Sequence, residues 1–346
     1  MVIQGPVQGF EYPGSLPELR RWFASDALCL DYLDWLRWPD GFVCPRCAGV
    51  ADWSVGDGRH RCGDCGRHIT VTAGTIFHGT RTPLTVWFEA AWLLMASKQG
   101  LSALELQRVT GLGSYQTAWT MLHKFRTAMS SDNRDRLTGR VEVDEGFYGG
   151  FTPGARGRES GAKALVAAAV ERRGRGFGRA RMQVIGSASS DDLATFLTST
   201  VAPGATIVTD GWRSYPTAAA RAELTHEPHV VSGSGEKAHE ILPGVHRVFS
   251  LSKRVLEGTY QGGVQDGHLQ AYLDEYVFRF NRRTANARGL LFLRLLEHAV
   301  TTTPTPYSSL IIERRPDPRP RPVAHLKRSP ASLAGQPLDR PWRRAA

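Results

Sequence analysis

Two aspartates stand where two short runs of strand-forming residues come to an end. Gly139 to Gly150 reads Gly-Arg-Val-Glu-Val-Asp-Glu-Gly-Phe-Tyr-Gly-Gly. Val141 and Val143 alternate with polar residues, Asp144 follows, and glycines close the run, which is the pattern of a strand ending in a turn. Thr206-Ile-Val-Thr-Asp210-Gly211 repeats the pattern. Carboxylates at strand ends in one sheet are hard oxygen donors. They suit a divalent cation such as Mg²⁺, which keeps several waters and completes its shell with substrate phosphate oxygens.

A second group of residues points to a different metal. Cys44-Pro-Arg-Cys47 and Cys62-Gly-Asp-Cys65 stand 14 residues apart (48 to 61), the spacing of a structural zinc ribbon rather than a redox pair. Four thiolates close a tetrahedral shell around Zn²⁺ and leave no position for catalysis. A segment this short buries little, so the ion would supply much of its folding energy. The fifth cysteine, Cys29, falls in an aromatic-rich helical stretch, Asp26 to Trp38, and reads as core.

Other elements must carry and place these groups. Ser15-Leu-Pro-Glu18 and Ser102-Ala-Leu-Glu105 both fit capping boxes, and Thr82-Pro83 is expected to open a helix with the proline in its first turn. That helix would bury Leu84, Trp87, Phe88, Ala91 and Met95. Gly111-Leu-Gly113 then separates the helix begun at Ser102 from one capped by Ser114. Helix, glycine turn, helix predicts a helix-turn-helix-like unit, with Gln116, Thr117 and Thr120 as base-reading candidates near the second helix start. Lys163 to Ala169 and Ala180 to Ile185 read as strands around a basic glycine-rich tip, Arg172 to Gly178, and a helix follows Ser190-Asp-Asp192. The glycines of that tip are no dinucleotide fingerprint, because no helix follows them.

Charge supports a polyanionic partner. The chain of 346 residues has a formal charge of +10 and a pI of about 9.7, with arginine in large excess over lysine; nucleic acid is the expected ligand. No apolar run is long enough to span a membrane, the N-terminus lacks a signal-peptide pattern, and no P-loop occurs. The expectation is a cytoplasmic, nucleoid-associated protein that uses neither membrane nor ATP.

His246 follows Asp210 after 35 intervening residues, and Lys253-Arg254 follows His246 by two helical turns. This layout resembles the DDE transposases, RNase H-like enzymes in which two strand-borne aspartates meet a third metal-binding residue on a later helix, with a cation seven residues beyond it. The likeness narrows further along the chain. The cysteine pairs, Thr72-Ala-Gly-Thr-Ile-Phe-His78, the two aspartate motifs and His268-Leu-Gln-Ala-Tyr-Leu-Asp-Glu-Tyr-Val-Phe-Arg-Phe-Asn-Arg-Arg283 together resemble bacterial insertion-sequence transposases of the ISXO group, over roughly Pro17 to Val300.

The resemblance implies a metal-dependent enzyme that cleaves DNA at transposon ends and joins them to target DNA. Asp144, Asp210 and His246 would hold Mg²⁺ or Mn²⁺. Lys253, Arg254, Arg282 and Arg283 would join Gln116, Thr117 and Thr120 in binding double-stranded element ends and target, with the protein acting as a homo-oligomer on DNA. Histidine stands where many relatives carry glutamate or asparagine. A softer imidazole tolerates Mn²⁺ better than it suits Mg²⁺, or serves as general base; Glu145, Glu240 and Glu257 are the alternative third ligands. The alternative function is a catalytically inactive DNA-binding protein, a repressor or relic that keeps the ribbon and helical unit.

The expected architecture is α/β. It comprises an N-terminal helical segment (1–40), a zinc ribbon (41–80), a helix-turn-helix-like DNA-binding segment (81–135), an RNase H-like catalytic domain (136–300) and a basic, Pro/Arg-rich disordered tail (301–346).

Overall fold

The computed structural model describes residues 6–130, 135–149, 163–174, 176–229, 241–260, 264 and 266–311. Arg175, Glu240 and all but the first residues of the Pro/Arg-rich tail lie outside this set. Residues up to Ile311 form one compact unit.

Ser15, Ser102 and Ser114 cap their helices where the sequence places them. α1 (Leu16–Trp22) begins at Ser15, whose hydroxyl accepts from the Glu18 N–H, while the Glu18 carboxylate accepts from Gly14 N at 2.7 Å. α2 (Asp26–Arg37) is capped by Ser25. α3 (Leu84–Ala96) differs from expectation: Pro83 occupies the cap position itself and offers no side-chain bond. Thr80 organises this entry instead, accepting from Thr82 N and from Trp87 Nε1. α4 (Ala103–Thr110) and α5 (Tyr115–Ala128) are capped by Ser102 and Ser114, and Gly111 closes α4 in the left-handed conformation.

The ribbon is a three-stranded antiparallel sheet, β1 (Asp52–Gly56), β2 (Arg59–Cys62) and β3 (His68–Thr70). Its own core is Phe42, Cys44, Cys62 and Ile69, too little apolar area to hold a fold unaided. Beyond the cysteines, buried His60 links it to α2. Nε2 lies 2.6 Å from Asp34 and Nδ1 2.5 Å from Asp52, so one imidazole ties two acidic side chains from different elements.

The larger sheet has five strands. β4 (Arg140–Tyr148), β5 (Ala164–Arg173) and β6 (Gly176–Ile185) run antiparallel, and β7 (Thr206–Thr209) and β8 (Thr225–Pro228) add parallel strands on the other side of β4, in the order β6-β5-β4-β7-β8. This is the RNase H-like arrangement expected from the resemblance. A parallel addition requires a crossover, and α6 (Ser190–Thr200) and α7 (Tyr215–Arg221) supply them.

Each face of the sheet has its own core. Val141, Val143, Ala167 and Ala169 face Leu193, Phe196, Leu197 and Tyr215 of α6 and α7. Val166, Ala168, Val170 and Tyr148 face α8 (Pro243–Tyr260) and α9 (Leu269–Phe280). The period-two alternation of β4 therefore sends Glu142 and Asp144 to the α8 side.

β6 is an edge strand, and an open edge invites pairing with another chain. Side-chain amides of α9 occupy it. Gln270 accepts from Val184 N at 2.8 Å and donates to Met182 O at 3.1 Å. Asn281, just past the helix, accepts from Ala180 N and donates to Ala180 O. These two side chains satisfy the backbone groups that a sixth strand would.

The last long helix, α10 (Arg288–Thr301), returns to the N-terminal helices. Leu291, Phe292, Leu295, Leu296 and Ala299, with Phe278 of α9, share one core with Leu33, Phe88, Leu122 and Phe125. Within this junction Arg126 of α5, fully buried, donates to Glu275 of α9 at 2.8 Å and lies over the Tyr272 ring at 4.0 Å. A buried charge is tolerated only when paired in this way. The catalytic sheet and the helical segment before it are thus packed through common helices.

Candidate active site and metal centre

The cysteine site is built by two matching turns. Ala48 N bonds Cys44 O and Gly66 N bonds Cys62 O, and both Ala48 (φ 59°) and Gly66 (φ 68°) take left-handed conformations just after their cysteine pairs. The four Sγ atoms lie within 4.8 Å of one another, with Cys44–Cys65 at 3.8 Å and Cys47–Cys62 at 3.6 Å. Zn–S bonds of about 2.3 Å set tetrahedral sulfur pairs about 3.8 Å apart. The donor set and its spacing fit structural zinc.

The ribbon's outward sheet face carries a row of exposed residues. Trp53 pairs with Arg61 across β1 and β2, and Arg61 with His68 across β2 and β3. Trp53 is 62% exposed. The strand register sets these three side chains side by side on one face.

Asp144 and Asp210 come from neighbouring parallel strands. Glu142 pairs with Val208, so two residues further along Asp144 lies beside Asp210, which follows the last residue of β7. Asp144 does not end its strand as the sequence suggests, because β4 runs on to Tyr148 and Asp144 pairs with Ala168 in mid-strand. Both are half-buried. Each has one oxygen fixed by a following backbone N–H: Asp144 Oδ1 accepts from Glu145 N at 2.8 Å, and Asp210 Oδ1 from Trp212 N at 2.9 Å. The second turn needs Gly211 at φ 80°, and Thr209 Oγ1 accepts from Gly211 N.

His246 sits in the first turn of α8 and faces Asp144, with Nε2 3.6 Å from its Oδ2. Of the alternative third ligands, Glu257 is exposed three turns further along the same helix, and Glu145 points to the opposite face of β4, beside Tyr215. Glu240 lies outside the described residues. Among those residues, only the cysteines gather three or more metal-ligating side chains closely. The Asp144, Asp210 and His246 side chains do not gather that closely.

Sequence reasoning missed two buried groups here. Tyr215 is fully buried. Burial, and then the nearby Glu145, Asp144 and Asp210, push its pKa well above the ordinary phenol value, so it stays a neutral hydroxyl beneath the carboxylates. Glu142, also fully buried, accepts from Gly244 N at 2.7 Å and Val245 N at 3.0 Å, and pairs with Arg172 Nε at 2.8 Å. Burial raises its pKa, against the opposing pull of the two N–H groups and Arg172. Its position two residues before Asp144 on an alternating strand was the available signal.

The DNA-contact candidates fall into four groups. Lys253 lies two turns beyond His246 with Nζ 5.3 Å from the Tyr148 ring centre, and Arg254 is exposed. Arg283 donates to the Gly178, Phe280 and Phe177 carbonyls and stacks on Phe280, and Arg282 donates to Phe278 O and lies over its ring at 3.7 Å. Burial lowers the Arg282 pKa to about 10. In the α5 first turn Gln116 is exposed and Thr117 and Thr120 half-buried, with the Thr120 hydroxyl donated to Gln116 O. At the tip, Arg173 pairs with Glu171, as does Arg179 just beyond it.

Carboxylates on two adjacent central strands, one within β4 and one just past β7, with a helix packed across that face, are the arrangement of a DDE-type polynucleotidyl transferase. Residues 136–281 match the ISXO2-like transposase domain and residues 24–68 match the transposase zinc-ribbon domain. The chain belongs to the ISXO group of insertion-sequence transposases. The ribbon match begins at residue 24, just before α2, and so takes in the helix that Asp34 ties to His60. No curated protein matches the chain. Among the described residues no helix is long and apolar enough to cross a membrane.

Proposed function

We propose that this chain is a catalytically competent DNA transposase that binds the double-stranded ends of its element and carries out both strand cleavage and strand transfer. One observation supports the reading: the parallel pairing of β4 with β7 sets Asp144 beside Asp210, and His246 of α8 lies 3.6 Å from Asp144. Two carboxylates and an imidazole fit Mg²⁺ or Mn²⁺, with the imidazole favouring Mn²⁺. Divalent ions bound there would activate the attacking hydroxyl and stabilise the leaving oxygen of an in-line displacement.

The chain's own groups do the rest. Asp144 and Asp210 each have one oxygen held by a backbone N–H, which fixes the carboxylates before substrate arrives. His246 supplies the third donor, or takes the proton of the attacking water or 3′-hydroxyl. Lys253 and Arg254 present cations to DNA phosphates two turns along the same helix. The first turn of α5, with Gln116, Thr117 and Thr120, is accessible for base edges. The row Trp53–Arg61–His68 offers a second basic, aromatic surface to the duplex. Arg282 and Arg283 would add positive potential while remaining bound to carbonyls. A homo-oligomer would hold paired ends, and no nucleotide hydrolysis is called for.

The test is metal-dependent nicking of the element's own end sequence. Wild-type protein should cleave with Mn²⁺ or Mg²⁺, whereas Asp144→Asn should bind the end equally well and not cleave. Wild-type protein that binds ends but never cleaves, with any divalent ion, would establish the repressor or relic instead.

A further inference from the structure

We infer that Glu142 is a positioning residue for the catalytic centre, pinning the first turn of α8, and His246 with it, to the strand that carries Asp144. This rests on the transposase reading of that site. The carboxylate is 0% exposed. Oε2 accepts two hydrogen bonds from α8, at Gly244 N (2.7 Å) and Val245 N (3.0 Å), and Oε1 lies 2.8 Å from Arg172 Nε on β5. Val245 immediately precedes His246, and Glu142 shares a strand face with Asp144. One buried group therefore ties the donors of two elements together.

The packing around the contact leaves the helix no slack. A Cβ at Gly244 would lie 2.6 Å from Phe177 Cδ1 and 2.9 Å from Glu142 Oε2, both closer than real Cβ contacts allow. Glycine is required for the helix to come this near the sheet. The helix N-terminus also favours a negative partner, since its first N–H groups lack intrahelical acceptors. A buried carboxylate bonded to N–H groups and a guanidinium is among the stronger orienting contacts available. Outer groups of this kind set ligand geometry, and their loss typically costs about 10–100-fold in metal affinity or activity.

Two variants test the inference from different directions. Glu142→Ala removes the acceptor, and Gly244→Ala keeps the carboxylate but crowds it and Phe177, so that helix and acceptor must part. Glu142→Gln keeps a carbonyl oxygen that can accept both N–H bonds. In protein that keeps its zinc but has no added Mn²⁺ or Mg²⁺, hydrogen exchange over 243–249 should speed up by about 10-fold or more in both alanine variants and stay near wild type in Glu142→Gln.

Mn²⁺ titrations should show half-saturation about 10–100-fold higher for the alanine variants, with end binding unchanged. Glu142→Gln should restore wild-type behaviour within a few-fold. Wild-type exchange and Mn²⁺ binding in folded Glu142→Ala would overturn the inference. If Glu142→Ala does not fold, the same results for Gly244→Ala would do so. Asp144→Asn separates the two failures. If it still cleaves, the catalytic reading falls; if it is inactive while Glu142→Ala matches wild type, only the positioning role falls.

Discussion

The cysteine site and the proposed catalytic site hold their candidate donors in opposite ways. In the ribbon, four sulfurs from two short turns lie within 4.8 Å of one another, with Cys44 and Cys62 buried. In the proposed catalytic site the three candidate donors come from β4, the end of β7 and α8, and Asp144 and His246 lie 3.6 Å apart. A closed shell stabilises a small fold, and an open one admits substrate oxygens. The local supports differ accordingly. The ribbon has a four-residue core, while the proposed catalytic site is backed by two large cores and by Glu142 and Tyr215 beneath it.

The sharpest way to break this contrast is to remove one donor from each site. Asp210→Asn should lower cleavage by about a thousandfold, equivalent to ~4 kcal/mol in the transition state, while circular dichroism and end binding stay unchanged. Cys44→Ser should do the reverse. It should abolish zinc in metal analysis and open the ribbon, because structural zinc is worth on the order of 10 kcal/mol of folding energy in such modules. The five-stranded sheet should remain folded, and end binding should weaken. A Cys44→Ser protein retaining a full equivalent of zinc would remove the basis of the comparison.

His246 refines it. His246→Ala should reduce cleavage by roughly 100-fold. His246→Glu should retain activity and move the optimum from Mn²⁺ towards Mg²⁺, since a carboxylate is the harder donor. If His246→Ala cleaves like wild type, the third ligand comes from elsewhere.

Acid should dismantle the two regions in order. Thiolates must stay deprotonated to hold zinc, so the ribbon should release its ion first as pH falls. The sheet holds longer because of Glu171. Burial alone would raise its pKa, but hydrogen bonds from the Arg179 side chain and N–H and from Thr138 N–H hold it at about 2. A depressed carboxyl contributes stability above its unfolded value of 4.5 and loses it as pH falls through about 2. Sheet unfolding followed by tryptophan fluorescence should therefore lose stability across pH 4.5 to 2, and Glu171→Gln should flatten that dependence.

The cysteine site was legible in the sequence because Cys44 to Cys65 lie within one short segment, whereas Asp144 reads as the end of its strand and lies in the middle of β4, which continues to Tyr148. Glu142 and Tyr215 were not legible, because their roles depend on contacts with Gly244, about a hundred residues away, and with carboxylates on two strands. Gln270 and Asn281 read as unremarkable polar residues of a helix, and only the sheet order shows them closing the β6 edge. The caps at Ser15, Ser102 and Ser114 were readable because capping is a four-residue affair. Pro83 misled by one position because Thr80, upstream of the expected pair, takes over the entry to α3.

The smallest effect comes from the symmetry of the two ribbon turns. Ala48 and Gly66 occupy equivalent places, each donating its N–H to the first cysteine of its pair, at φ 59° and φ 68°. Left-handed backbone costs an L-residue about 1 kcal/mol, and glycine almost nothing. Ala48 is exposed, so its methyl group contributes little burial to set against that strain. Ala48→Gly should therefore stabilise the zinc-bound ribbon by about 0.5–1 kcal/mol after the added freedom of the unfolded chain is counted. Gly66→Ala should destabilise it by about 1 kcal/mol. The measurement is competition for zinc against a chelator of known affinity, where these energies appear as roughly two- to fivefold shifts in opposite directions. Shifts of the same sign would mean that the turns are not equivalent, and that strain at Ala48 is relieved by contacts absent at Gly66.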